Sequence, residues 1–279
     1  MKRIFLIFIL GILSAKAQAE FIRESAKISL NNGVPISVHL KRPAKAAPGT
    51  LPVVLLFGGL HTGAKAIDLV DPGVPVLLAT FEYPFEGPRK WKFPRDLEYI
   101  PKARQAMHDT VTGIRALVDW VAARPEVDAS RITLVGASLG APFVSIAAGE
   151  NEKVSSLILV HGFADVPAVA KFSLTQEWKA SLGIFAKPVA FVAGHLLWMY
   201  IGLPSPAEKL SQLKSHQRVL IFTAEGDDLL PPENAVKMRT ALEKSAAQWE
   251  EKRLPGVHLR AGESELIKKF VHESLQWLG

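Results

Sequence analysis

The chain of 279 residues contains no cysteine. Disulfides, thiolate nucleophiles and thiolate metal centres are therefore excluded, and stability must come from core packing alone. A strong charge of one sign is also missing. The formal net charge is +6, and Lys2, Arg3 and Lys16 supply three of it ahead of the main body of the chain. The remainder is too weak and too scattered for a nucleic-acid partner. No glycine-rich phosphate loop, no metal-ligand cluster, no internal repeat and no low-complexity tract is found, so neither a metal nor an organic cofactor is expected.

What is present starts with an N-terminal address. Lys2 and Arg3 precede an apolar run from Ile4 to Leu13, and a small-residue stretch ends in Ala17-Gln18-Ala19. The run is too short for a comfortable membrane span, and the layout predicts a signal peptide over residues 1–19, cleaved before Glu20, with export to the periplasm or beyond. No cysteine follows the run to carry a lipid. Residues 20–279, with 48% hydrophobic content across the whole chain, suit one large domain better than two.

Along that domain the pattern predicts an opening hairpin, Ile28 to Leu30 and Ile36 to Lys41, turning at Asn31-Asn32-Gly33. Continuous apolar runs follow at Val53–Phe57, Val74–Phe81, Ile132–Val135, Leu157–Val160 and Val219–Thr223, as expected of strands buried on both faces. Helical spacing lies between them, from Met107 to Val121, from Glu233 to Ala246 and from Glu263 to Leu278. The alternation predicts an α/β fold, a mostly parallel doubly wound sheet covered by helices. Residues 163–216 break the rhythm and are read as an inserted helical cap. Within it Pro188 to Ala207 has the length of a membrane span and lacks Asp, Glu, Lys and Arg. Its glycines and Pro204 favour a buried helix over the site, with contact to lipid as the alternative.

Gly136-Ala137-Ser138-Leu139-Gly140 lies between a strand and an Ala-rich helix. This is the Gly-x-Ser-x-Gly arrangement, in which a sharp turn pushes the serine out of the sheet edge and glycines sit where a Cβ would collide. Ser138 is the candidate nucleophile. A serine hydroxyl needs an adjacent base. His258 follows Gly256 in a loop ahead of the last helix, and His161, at the end of a strand, is the alternative. The base needs a carboxylate to orient it. Asp227 and Asp228 both follow the strand ending at Thr223, and Asp165 is an outside candidate. Developing negative charge would be met by the N–H of Leu139 and by Gly59 in the loop after Phe57.

Phe57-Gly58-Gly59, the Ser138 pentapeptide, Asp227 with Leu230-Pro231-Pro232, and Gly256-Val257-His258 occur in the order Ser, acid, His. On these residues the chain resembles the α/β-hydrolase superfamily. The segment Arg124 to Asp128 leading into Arg131 to Val135 is similar to the branch of dienelactone hydrolases, acetyl esterases and prolyl-oligopeptidase-like domains. The resemblance implies an α/β-hydrolase fold with Ser138, Asp227 and His258 as catalytic residues. It departs at Phe57, where relatives carry His or a hydroxyl-donating Tyr, and at Ala224, where Gly is usual. Phe57 weakens a peptidase reading, and the length leaves no room for an N-terminal propeller. The expectation is an exported carboxylesterase acting on small esters of moderately hydrophobic acids. Phe57, Phe191 and Trp198 are expected to line the substrate pocket. A serine peptidase and a non-catalytic binding protein are the alternatives.

Overall fold

A computed structural model describes residues 20–59, 62–71, 73–88, 95–260 and 262–279. The segment read as a signal peptide, residues 1–19, lies outside them.

Strands β1 (Phe21–Ser29) and β2 (Pro35–Pro43) form the expected antiparallel hairpin, with Gly33 at φ 81° in the turn. Six more strands follow: β3 (Leu51–Phe57), β4 (Leu77–Phe81), β5 (Val127–Ala137), β6 (Val154–Val160), β7 (Arg218–Ala224) and β8 (Gln248–Leu254). They make one sheet in the order β1-β2-β4-β3-β5-β6-β7-β8, antiparallel as far as the β2–β4 pair and parallel from β4 onward. The central strands are apolar on both faces because both are covered. Helix α1 (Ile100–Ala122) starts with Pro101 in its first turn, a position that needs no N–H donor. It packs with α2 (Gly140–Gly149) on one face over Leu55, Leu134 and Leu157. α6 (Glu233–Glu243) lies on that same side through Met238 and Leu242. On the other face α7 (Ser264–Leu278) places Phe270 against Ile158, Val160 and Phe222.

Strand β8 is not legible from hydrophobic periodicity. Its sequence, Gln248 to Leu254, carries four consecutive charged residues, which suits a sheet edge and disguises it as a loop. The tertiary structure supplies their partners. Glu251 accepts from Thr223 and Arg239, and Lys252 pairs with Glu273.

Residues 163–216 contain no strand, as expected, but they do not form a buried lid. Helices α3 (Val166–Leu182) and α4 (Ala186–Ile201) pack mainly on each other as a hairpin, followed by α5 (Pro206–Ser211). Only the end of α4 reaches the body, where Arg104 and His108 bond the carbonyls of Tyr200 and Ile201. Apart from residues such as Ala186 and Ala190 that are buried, much of the hairpin's apolar surface is open, with Ile184 86% and Met199 75% exposed.

The loop joining β6 to α3 is fixed by buried Asn234. Its Oδ1 accepts from the N–H groups of Ala164 and Asp165, and its Nδ2 donates to the Gly162 carbonyl. Replacing it strands three backbone groups at once, two of them buried. Asn234→Leu is expected to lower unfolding stability by about 1–3 kcal/mol, read from the urea midpoint at unchanged slope.

Candidate active site

Ser138 stands at the end of β5 with φ +51°, in the left-handed region that a side chain rarely adopts. The strain is held by the neighbouring backbone. Its N–H donates to the Val160 carbonyl, and its own carbonyl accepts from Ala141. The flanking glycines are required by space. A Cβ on Gly136 would sit 2.7 Å from Ala141 Cα, and one on Gly140 would sit 2.0 Å from the Phe57 carbonyl oxygen. The close approach at Gly140 brings the end of β3 against the start of α2, so Gly58 and Gly59 flank the serine. Leu139 precedes the first turn of α2, where the helix N-terminus favours negative charge.

His258 Nε2 is 2.9 Å from Ser138 Oγ. Its other ring nitrogen, Nδ1, is 2.9 Å from Asp227 Oδ2 and 3.1 Å from Oδ1. The ring is buried. Burial pushes the Asp227 carboxyl up, but the hydrogen bonds from His258 and from the N–H groups of Leu229 and Leu230 outweigh it and hold the group below the usual carboxylate range. Asp227 is therefore ionised at neutral pH and can hold His258 with Nδ1 protonated, leaving Nε2 to accept the serine proton.

The two adjacent aspartates divide the work. Asp228 turns away from the ring, accepts the His258 backbone N–H at 3.3 Å and pairs with Arg260 at 2.7 Å. Asp165 lies elsewhere, capping α3 through Ala168 N–H.

His161, considered from sequence as an alternative base, sits beside the site at φ +45° with its ring 5.6 Å from that of His258. Its Nδ1 accepts the backbone N–H of Leu259 at 2.8 Å, fixing the residue after His258. That bond needs an unprotonated Nδ1. Burial and then the nearby His258 push its pKa below the ordinary value, outweighing Asp227 and Glu263.

Two positioning residues carried no sequence motif. Tyr83, whose phenol burial pushes far up, donates its hydroxyl to the Gly58 carbonyl at 2.7 Å. A trans peptide points the following N–H the opposite way, so this bond also fixes the Gly59 N–H. Asn234 is the other, holding the loop after His161.

A cavity of about 390 Å³ opens beside Ser138 and His258, bordered at its mouth by Phe57, Gly58, Gly59 and Leu229. Among the described residues lining it, none is charged. Phe57 is thus at the cavity, whereas Phe191 and Trp198 are not. Phe191 stacks on His195 and under Lys171 on the exposed hairpin. Trp198 packs against the core on the opposite side of the sheet. Both expectations rested on a cap closing over the serine, and the hairpin does not close. His161, Asp227 and His258 also bring three possible ligand atoms within 4.8 Å of one another. Nδ1 of His258 is bonded to Asp227 and Nδ1 of His161 to the Leu259 N–H, while His161 Nε2 is buried with no hydrogen-bond partner among the described residues.

The sign of the His161 contribution to stability follows from its lowered pKa. Below about pH 6.5 the unfolded chain takes up a proton at this position and the folded chain resists, so stability falls on acidification. His161→Gln keeps an acceptor for Leu259 and removes the titration. Its unfolding free energy, measured by urea titration, should fall less than the parent's between pH 7 and 5.5, by up to about 1.4 kcal/mol per pH unit.

The model of the prolyl oligopeptidase family matches residues 102–279, well over half of the chain. A comparison with curated proteins finds no match. Solved structures with the same fold include an acetyl xylan esterase from Paenibacillus sp. R4, at TM-score 0.61 and 18% identity over 91% of this chain and 84% of that one. An esterase of Pyrobaculum calidifontis aligns at TM-score 0.58 and 18% identity, over 92% and 85%. A puromycin-hydrolyzing peptidase of Mycobacterium tuberculosis aligns at TM-score 0.65 and 17% identity, over 92% of this chain but 39% of that one. The chain is a serine hydrolase of the α/β-hydrolase fold and belongs to the prolyl oligopeptidase family.

Proposed function

We propose that the protein is an exported carboxylesterase that cleaves esters of moderately hydrophobic acids through an acyl-enzyme on Ser138. The observation that carries this is the hydrogen-bonded series Asp227–His258–Ser138 opening directly on a cavity without a charged side chain. Ser138 Oγ bonds to the ester carbonyl carbon while His258 Nε2 takes its proton. The N–H groups of Leu139 and Gly59 meet the oxyanion. As the carbon–oxygen bond to the alcohol breaks, His258 returns the proton to the leaving oxygen. Water, activated by the same histidine, then releases the acid. Asp227 keeps the imidazole in the tautomer that accepts from serine. A peptidase would use the same machinery. The apolar lining favours an ester of a hydrocarbon acid over a peptide, whose backbone amides would lack partners there. Export rests on the N-terminal layout of Lys2, Arg3, Ile4 to Leu13 and Ala17-Gln18-Ala19.

The α3–α4 hairpin supports a second element of this reading, contact with a lipid surface. It contains the described segment that is long and apolar enough to cross a membrane, and 17% of its apolar window is buried. The hairpin leaves the sheet at the edge that carries Ser138, and its tip presents Leu182, Ile184 and Phe185 to solvent. Lys171, Lys179 and Lys187 stand around it against Glu177. An exposed apolar ridge flanked by cations fits an anionic membrane surface.

Three experiments check the reading. Wild-type protein should hydrolyse p-nitrophenyl esters far faster than peptide anilides and be labelled by a fluorophosphonate, and Ser138→Ala should abolish both. Asp227→Asn should lower kcat roughly 10⁴-fold, while Asp228→Asn, whose partner groups are backbone and Arg260, should cost far less. For the hairpin, wild type should float with anionic liposomes, and the Ile184→Asp, Phe185→Asp double variant should remain in solution at unchanged esterase activity.

A further inference from the structure

The cavity beside Ser138 does not end at the site. Its floor is the sheet face itself, formed by Leu78 of β4, Val54 and Leu56 of β3, Val135 of β5, and Ile158 and Val160 of β6. One wall is α7, whose residues Ile267, Phe270, Val271, Ser274, Leu275 and Leu278 recur at helical spacing and all line it. The opposite wall is a six-residue 3-10 helix, Gly63–Asp68, with Ala66, and Leu69 and Val70 just beyond it. So short a turn cannot cover the strands as a full helix does. Protein interiors otherwise leave few voids larger than a water molecule, so an apolar slot of this size meeting a nucleophile is unlike a packing flaw.

The direction of α7 sets the depth. Phe270 packs on Phe222 and His161 at the edge that carries Ser138, whereas the Trp277 carbonyl accepts from Arg218 at the first residue of β7. The slot therefore runs down the strands from the serine toward the opposite edge. From Phe270 to Leu278 it spans about 12 Å at the rise of a helix. Midway, where the stripe of α7 would otherwise place a large apolar side chain, Ser274 leaves space.

We infer that this slot is an acyl-binding site that takes a straight medium-length hydrocarbon chain, lying along the sheet face beneath α7, and that Ser274 sets how long a chain fits. The inference rests on the esterase reading for its link to catalysis, but the slot's affinity for an acyl chain does not depend on it.

The experiment separates the two. Wild-type kcat/KM for p-nitrophenyl esters should rise from acetate to octanoate, by about fourfold per buried methylene. Ser274→Trp should abolish the gain beyond butyrate, read as the ratio of octanoate to acetate kcat/KM within the variant, while Ser274→Ala keeps the wild-type ratio. Leu275→Phe, which narrows the slot at a similar depth, is the second blocking variant should Ser274→Trp fail to fold. In parallel, Ser138→Ala should bind decanoate by calorimetry, and the same protein carrying the blocking substitution should not. A flat chain-length profile, or a profile that the blocking variants leave unmoved, overturns the slot while ester hydrolysis stands. Decanoate binding lost on blocking, with no ester hydrolysed by wild type, supports the slot and overturns the esterase reading. Failure of decanoate to bind overturns the slot.

Discussion

The left-handed turn at Ser138 is the constraint from which the rest of the site follows. A non-glycine residue at φ +51° is strained and persists only where its surroundings hold it. Here the hold comes from hydrogen bonds on both sides of the peptide and from two glycines that admit contact with no room for a Cβ. The contact between Gly140 and the Phe57 carbonyl joins the end of β3 to the start of α2. That one approach sets the serine, the N-terminus of α2 and the Gly58–Gly59 loop side by side. Tyr83 then locks the Gly58 peptide from beneath.

The opposing side of the site depends on a loop that has little structure of its own. Residues 255–260 are held by a backbone bond, from the Gly226 N–H to the Gly256 carbonyl, and by side chains reaching in from elsewhere. Asp227 holds the His258 ring, Asp228 holds its backbone, and His161 holds the next residue. Arg260 closes the loop back onto Asp228. Three of these groups lie at the ends of β6 and β7, so parallel strands in register deliver them to one edge. The second positive-φ side chain among the described residues, His161, belongs to this support.

The protein departs from an evenly covered sheet in two places, and both are apolar. Among the described residues, the sheet face is left hollow between the 3-10 helix and α7, and beyond β6 the helical hairpin carries its apolar side outward. Composition alone cannot separate these cases. A stretch such as Ala186 to Ile201 is apolar almost all round, and the sequence pattern is the same whether it is buried over a site or open. Phe191 and Trp198 read from sequence as pocket residues because of that ambiguity, and the packing of α4 on α3 rather than over Ser138 puts them elsewhere. The residues that do line the slot, such as Val54, Leu56 and Ile158, read in sequence as ordinary strand core.

By itself the sequence determined the fold class, and it named Ser138, His258 and the Asp227–Asp228 pair as candidates in the chain order Ser, acid, His. These are local matters: apolar runs, turn glycines and a pentapeptide recognisable from its own residue spacing. The tertiary structure decided what depends on distant segments meeting. It chose which aspartate faces the ring, gave His161 and Tyr83 their positioning roles, and revealed β8, whose charges are legible only beside Arg239 and Glu273. It also decided where the apolar space lies, because a cavity is the absence of packing between elements and no single segment encodes it.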